Sequence, residues 1–537
     1  MDNNNDSIRY NDGMMQPASQ SVPARRYNTR EKVFAWLAFV TGYIFCIVSP
    51  PADAPLGAVI FIFAMYAAGL AFMITSRIHL PPRSFFWLTA GAIPSVGLFL
   101  SSNTLTGTFA FMWSIACFII WVYLAPGCGL ETHAKELFFF DAVKAFLVMP
   151  FSSLGAVFSA AFGKRSRSRE SQASQASPSA GGRTVVYILL GILIAIIPTA
   201  VVVGLLLYDN NFADYLNAVI RFCRGGDILD TVKRLICAIP VAAYGFGALI
   251  SAIDKKHTRT MSADACRRFS AGVRFAPAVM VCSAMIPMLA VYLLFFISQW
   301  DYYLAAFGGR LPTGVDIYAF YARDGFFELC NVCAVNAVVM QTANIFTKRR
   351  RADRQDPAVR IILGMLSVST IILIATAFSK LALYIGQYGL TRLRIEAAWF
   401  IAVLFTAFLI MLIKQIVPRT NAMLCIIVAF ALLFACITLT DINGVIADYN
   451  ISGYLNGTLD QIDMGVISKC GDSAIPHLIR LSDEIDPGAD EKTAAIAERA
   501  NELIEEHRRQ YKDQTDIFSI TLPRIFANRA LMRRTAR

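Results

Sequence analysis

The sequence predicts an all-α fold: a polytopic helical membrane protein of about 11 transmembrane helices with a small soluble α-helical carboxy-terminal tail. Four observations carry this. Of 537 residues, 56% are hydrophobic and only 16% charged, whereas a soluble protein carries about a quarter charged residues. Apolar runs of about 18 residues or more, the length a helix needs to cross a bilayer core, recur from about residue 33 to about residue 440. The short alternating segments of a β-barrel are absent. Finally, the basic residues cluster in alternate loops, as the positive-inside rule expects.

In chain order, residues 1–32 form a polar amino-terminal segment ending in "RRYNTREK". The run after it is too long for a signal-peptide core and lacks a small-residue cleavage site, so it reads as a first helix. Residues 33–125 hold four spans, near 33–50, 55–75, 84–102 and 106–125. Residues 126–183 combine an interfacial amphipathic helix with a basic, flexible cytoplasmic linker. Within 134–162, Lys135, Glu136, Asp141 and Lys144 recur between apolar residues, as on a helix lying in the interface; a span there is the alternative. "KRSRSRESQASQASPSAGGR" has linker composition. Residues 184–440 hold seven spans, near 184–207, 235–253, 275–298, 324–346, 359–378, 396–416 and 421–440. The loop 208–234 between the first two suggests two short surface helices broken at "RGGD". Residues 441–537 form the tail, in which "ADEKTAAIAERANELIEEHRRQYKD" is an amphipathic helix.

Six basic loops fall on alternate connections, and "PPADAPLG", "SSNTLTG" and "WDYYLAAFGG" between them carry no Lys or Arg. All six can therefore be cytoplasmic together, with the amino terminus inside and the tail outside. The net charge of +11 belongs to this arrangement, and nucleic acid is not an expected partner. The expected partners are the lipid bilayer and other membrane or envelope proteins.

Charged groups in spans are costly and point to function by default. Glu328, Asn331 and Asn336 share an arc of roughly 140° on one helix, which gives either a polar pathway or, for Glu328, an interfacial first turn with Asp324 as its cap. Cys330 and Cys333 form a lone CxxC, short of the four ligands a zinc site needs. The five His are scattered, and HExxH, Walker A and GxSxG patterns are absent. No cofactor and no metal is expected. In "YIGQYGLTRLRIEAAWF", Tyr384, Tyr388 and Trp399 suit a membrane interface, and Arg392 and Glu396 are spaced to pair on a helix.

Three segments then carry a resemblance: "YARDGFFEL" (321–329), "SKLALYIGQYGLTRLRIEAAWF" (379–400) and "ADYNISGYLNGTLDQIDMGVISKCGDSAIPHLIRL" (447–481). In this order they resemble the bacterial membrane family catalogued as domain of unknown function 4173, related to the family numbered 4153. The third departs from that family's Asp-Ala-x-Pro element, since "DSAIP" inserts Ser473. The resemblance implies a protein of the bacterial cytoplasmic membrane and supplies no activity. It marks Tyr321, Arg323, Gly325 and Glu328, then Tyr384, Tyr388, Gly389, Thr391, Arg392 and Arg394, with Asn331, Asn336 and Glu396 beside them, as the residues of interest. The expected role is non-enzymatic, in transport or envelope signalling. The alternatives are a membrane-embedded enzyme acting on lipid-linked or envelope substrates, and a structural scaffold.

Overall fold

A computed structural model describes residues 27–131, 134–162, 227–255, 262–298, 318–350, 355–485, 491–512 and 516–536. Among the described residues there is no β-strand; one isolated parallel bridge joins Ala276 and Thr347. Helix α1 spans Thr29–Val48, α2 Pro55–Thr75, α3 Phe85–Leu100 and α4 Thr104–Leu124. A broken segment follows: α5 (Phe138–Val143), a π-helical stretch (Lys144–Val148), α6 (Met149–Phe151) and α7 (Ala156–Phe162). Long helices resume with α8 (Asp227–Asp254), the short α9 (Ala263–Val273), α10 (Ala278–Ser298) and α11 (Tyr318–Phe346). Three more complete the apolar set: α12 (Pro357–Tyr388), α13 (Arg392–Ile416) and α14 (Ala422–Leu439). The tail comprises α15 (Ile442–Leu455), α16 (Met464–Ser468), α17 (Ile475–Glu484), α18 (Glu491–Lys512) and α19 (Leu522–Ala536).

Local sequence explains several helix starts. Asn28 and Glu31 form a reciprocal capping box on α1. Asn103, Asp356 and Asn421 cap α4, α12 and α14 through side-chain oxygens, and Pro357 occupies the first turn of α12, where a missing N–H costs nothing. Asp324, expected as a cap, instead lies within α11, which begins at Tyr318.

Eleven helical stretches among the described residues are long and apolar enough to cross a membrane, and the protein is membrane-embedded. Ten coincide with expected spans. The expected span 184–207, most of the loop 208–234 and the linker after residue 162 lie outside the described residues. The eleventh stretch, Phe138–Phe162, is the segment expected to be interfacial.

Contacts sort the helix ends into two groups. At one end, Arg30 donates to the Thr75 carbonyl (3.1 Å), Cys128 to the Ala252 carbonyl (3.4 Å) and Arg360 Nε to the Gln415 carbonyl (3.0 Å). Lys348 N–H donates to the Ala276 carbonyl at 2.8 Å, which puts the start of α10 beside the finish of α11. The described residues of the basic loops gather here. At the other end, Ser102, Asn103, Leu390, Arg392 and the tail meet.

The stretch 138–162 touches only the first of these ends. Its start stacks Phe138 on Trp87 (5.7 Å between centroids), two residues into α3. Its finish sets Phe162 against Trp36 at 5.2 Å, early in α1. Between them, Ser152 and Ser251 share a hydrogen bond of 2.8 Å, and Tyr244 donates to the Phe146 carbonyl at 3.0 Å. The helix breaks at residues 152–155.

Packing regroups the chain. Helix α8 packs on α1 and the broken segment, so it belongs with α1–α4 although it follows the linker. Helices α10–α13 share a second core around Leu363, Leu366 and Leu373. Helix α14 joins the two sets by packing on both α3 and α13. There Gly97 lies against the Thr438 carbonyl, where any Cβ would collide with that oxygen; a small residue lets the two backbones approach. A third core, with Ile446, Ile451, Leu478, Leu481 and Ile504 at its centre, unites the tail with Phe434, Ile437 and Ala110 of the apolar helices.

Candidate functional site at the tail-bearing end

The site starts from one backbone position. Gly389 ends α12 with φ 72° and ψ −174°, a region essentially reserved for glycine. A Cβ there would also strike Asn450 Oδ1. This turn presents Leu390 edge-on to Asn450, which accepts from the Leu390 N–H at 2.7 Å and donates to the Leu390 carbonyl at 2.8 Å. One amide thus satisfies both main-chain groups of the residue joining α12 to α13, and an unpaired buried backbone group would cost about 1–3 kcal/mol. The second and third motifs are held together by this clamp.

Arg392 extends the joint to α4. Its Nε donates to Glu396 at 2.9 Å, and its guanidinium donates to Asn103 Oδ1. Asn103 is 4% exposed. Its Oδ1 also accepts from the Leu105 N–H at 3.1 Å, while its Nδ2 is buried without a hydrogen-bond partner. Beside it, Asn443 donates to Ser102 Oγ at 3.0 Å, Ser102 and Ser473 share a bond of 2.9 Å, and Ser473 donates to Asp441 at 3.0 Å. Burial pushes the Asp441 carboxyl up from its usual range, against the Ser473 hydroxyl and two backbone N–H groups that favour its charged form. Ser473, the insertion relative to the resembled element, is therefore part of the network. Asp472 faces outward to His507 at 2.9 Å.

Arg394 takes another direction. It donates to the carbonyls of Tyr388 (2.8 Å) and Gly389 and lies 4.0 Å from the Tyr384 ring centroid, so it closes the α12 C-terminus, where carbonyls lack helical partners. Tyr384 and Tyr388 rings are 5.2 Å apart. Thr391 stands at the cap of α13 without a side-chain capping bond.

The first motif stands apart from this joint. Gly325 lies against the Lys380 ammonium, and Glu328 is the carboxylate whose charge acts on Lys380. Glu328 and Asn331 are exposed, whereas Asn336 is fully buried, accepting from Tyr292 at 2.5 Å and donating to Thr370 at 2.9 Å. The shared arc is wide enough to put its edges in different surroundings. Tyr321 and Arg323 lie on α11, with their side chains outside the described set. Cys330 and Cys333 are free thiols, and no His/Cys/Asp/Glu cluster fit for a metal occurs among the described residues.

Sequence reasoning missed Ser102, Asn103, Asn443 and Asn450 as partners. The available signal was Asn103 as a cap-type residue at the start of an apolar run. It also missed that the charges of the broken segment are sequestered: Asp141 (4% exposed) accepts from Tyr123 Oη at 2.7 Å and the Leu130 N–H at 2.8 Å, and Lys144 is 1% exposed.

Below the joint, an aromatic block separates the site from the rest of the bundle. Phe430 and Phe434 stack at 5.8 Å, flanked by Trp113 and Trp399 at 5.2–6.2 Å. Both indole N–H groups donate to helix carbonyls, of Ala90 and Leu433, at 2.8 Å. Beyond lies a cavity of about 300 Å³ between α3, α4, α13 and α14, with an almost wholly apolar lining.

No curated protein and no solved structure matches the chain. A family profile described as "Domain of unknown function (DUF4153)" matches residues 62–481, which takes in the bundle from within α2 onward, the clamp and the Asp441–Ser473 network. The chain belongs to the DUF4153 family.

Proposed function

We propose that this is a multi-pass protein of the bacterial cytoplasmic membrane, with its basic end inside and its tail outside, and with a non-enzymatic role in envelope signalling. The observation that carries this is the Asn450–Leu390 clamp with the Arg392–Asn103 contact, which makes the tail continuous with α12, α13 and α4. A tail so held can report its own state to the helices. The orientation is supported by the grouping of basic loops at the opposite end. It is supported too by the stretch 138–162, whose two ends meet the same end of the bundle, so that it dips in without crossing. The motif set supports a position near the relatives numbered 4173. A transport role gains less: Glu328 is exposed, Asn336 is spent on Tyr292 and Thr370, and the apolar cavity takes no wall from either.

The test uses a host strain lacking the protein. Full-length protein should restore the strain's transcript profile; Asn450→Asp and a chain ending at residue 456 should not, although both reach the membrane in equal amount. Restoration by the truncated chain would sink the reading. Alkaline phosphatase fused after residue 537 should be active, and a fluorescent cytoplasmic reporter fused there should be dark; the reverse result overturns the orientation.

A further inference from the structure

We infer that the apolar cavity is a binding site for one acyl chain of an anionic phospholipid, whose headgroup rests on a cationic rim at the basic end. The rim is built by the cavity's own walls. Four lining residues, Trp87, Phe138, Ile410 and Met423, each have a basic residue three or four positions further toward the basic end: Arg83, Lys135, Lys414 and Arg419. Four separate chain segments thus place a cation about one turn beyond the apolar slot.

These charges are not consumed internally. Arg83, Lys135 and Arg419 are exposed and form no ion pair among the described residues. Of the carboxylates on this segment, Glu136 is engaged by Arg349 at 2.7 Å and Arg274 at 3.0 Å, and Glu131 faces Arg267 at 4.0 Å. Glu136 also acts on Lys414, alongside Arg349, so the local balance stays positive.

The depth fits a single leaflet. On α14 the lining runs from Met423 to Leu433, ten residues or about 15 Å at the helical rise. That is half of the roughly 30 Å hydrocarbon core. The Trp113–Phe430 face closes the far end. An apolar slot one leaflet deep, closed at one end and ringed by cations at the other, matches an amphiphile with a single negative head. Each basic residue near an anionic headgroup contributes about fivefold to affinity.

The experiment uses the full chain purified in detergent and exposed to equal amounts of phosphatidylglycerol and phosphatidylcholine with identical acyl chains. Native mass spectrometry should retain the anionic lipid at least about fivefold over the neutral one. Combined Arg83→Gln, Lys135→Gln, Lys414→Gln and Arg419→Gln should erase the preference. Ala407→Trp, which fills the slot, should lose lipid of both kinds while the thermal midpoint without lipid stays within a few degrees. Single Lys414→Gln gives a graded loss should the quadruple variant fold poorly. Glycerol phosphate, which has no chain, should not compete. Equal retention of the two lipids, retention unchanged by Ala407→Trp, or displacement by glycerol phosphate would each overturn the site.

Discussion

The two ends of the bundle are fastened by different chemistry. At the tail-bearing end the joint is made of amides, hydroxyls, one arginine and one glycine turn: Asn450 on Leu390, Arg392 on Asn103, Ser102 on Ser473 and Asn443. Most of these groups are buried and each bond has a fixed direction. At the basic end the fastening is an ion-pair cluster, with Glu136 half-exposed between Arg274 and Arg349. Directed bonds in a buried setting admit one geometry and lose much when a partner is removed. Exposed ion pairs tolerate many geometries and contribute little each. The tail end is thus built to be specific, and the basic end to be adaptable.

Gly389→Ala breaks this contrast most severely. It forces a side chain into a backbone region that costs about 1–3 kcal/mol and against the clamp amide as well. The expected result is at least about 3 kcal/mol of lost stability at the tail end, read as accelerated hydrogen exchange and proteolysis of 441–512, with residues 340–360 unchanged. Asn450→Asp comes next. A carboxylate can accept from the Leu390 N–H, but it cannot donate to the Leu390 carbonyl, so a loss of about 2–3 kcal/mol is expected by the same readout. Arg392→Lys should cost about 1–2 kcal/mol, because a single ammonium cannot reproduce the fork shared by Glu396 and Asn103. Double-mutant cycles with Asn103→Ala measure that coupling.

At the basic end, Glu136→Gln should cost under about 1 kcal/mol. Raising salt to about 1 M should loosen residues 274–276 and 347–350 in wild type while leaving the tail end unmoved.

Acid separates the ends in order. Burial holds the His477 imidazole below its usual value, with Asp448 and Asp441 pulling upward and Arg480 downward. Stability from its neutral form is intact above about pH 6.5 and is lost as pH falls through the lowered value. Asp441 shifts the opposite way, so an Asp441→Asn background isolates the histidine. At Glu136 burial favours the neutral acid, but Arg349 and Arg274 outweigh it and hold the carboxyl low. Its contribution therefore survives until pH falls below about 4.3. Exchange protection of α17 should decline first, and a His477→Gln variant should remove that early decline.

Helix existence was legible because run length and loop charge are one-dimensional quantities. Ten spans coincide for that reason. The partition was not: α8 packs on α1 despite following the linker, because sequence order does not encode which apolar faces meet. Nor was the character of residues 134–162 fully legible. Asp141 and Lys144 look like the wet face of a surface helix, yet Tyr123 and the Leu130 amide enclose the carboxylate. In the candidate site, the arginines and the glycine of "YGLTRLR" could be found from charge and resemblance. Their partners Asn103 and Asn450 lie 289 and 60 positions from the groups they bind. A local pattern can mark Asn103 as a helix cap, but it does not say which distant group either residue binds.

Helix α13 joins the two kinds of fastening in one body. Its 25 residues make a rod of about 38 Å. One end is pinned through Arg392, and the other takes the Arg360 guanidinium on its last carbonyls. The aromatic block of Trp113, Phe430 and Phe434 packs beside Trp399 along this helix. On the proposed signalling reading, what this rod offers is leverage. A tilt of roughly 5° at the tail carries the opposite end roughly 3 Å, the scale at which loose ion pairs exchange partners.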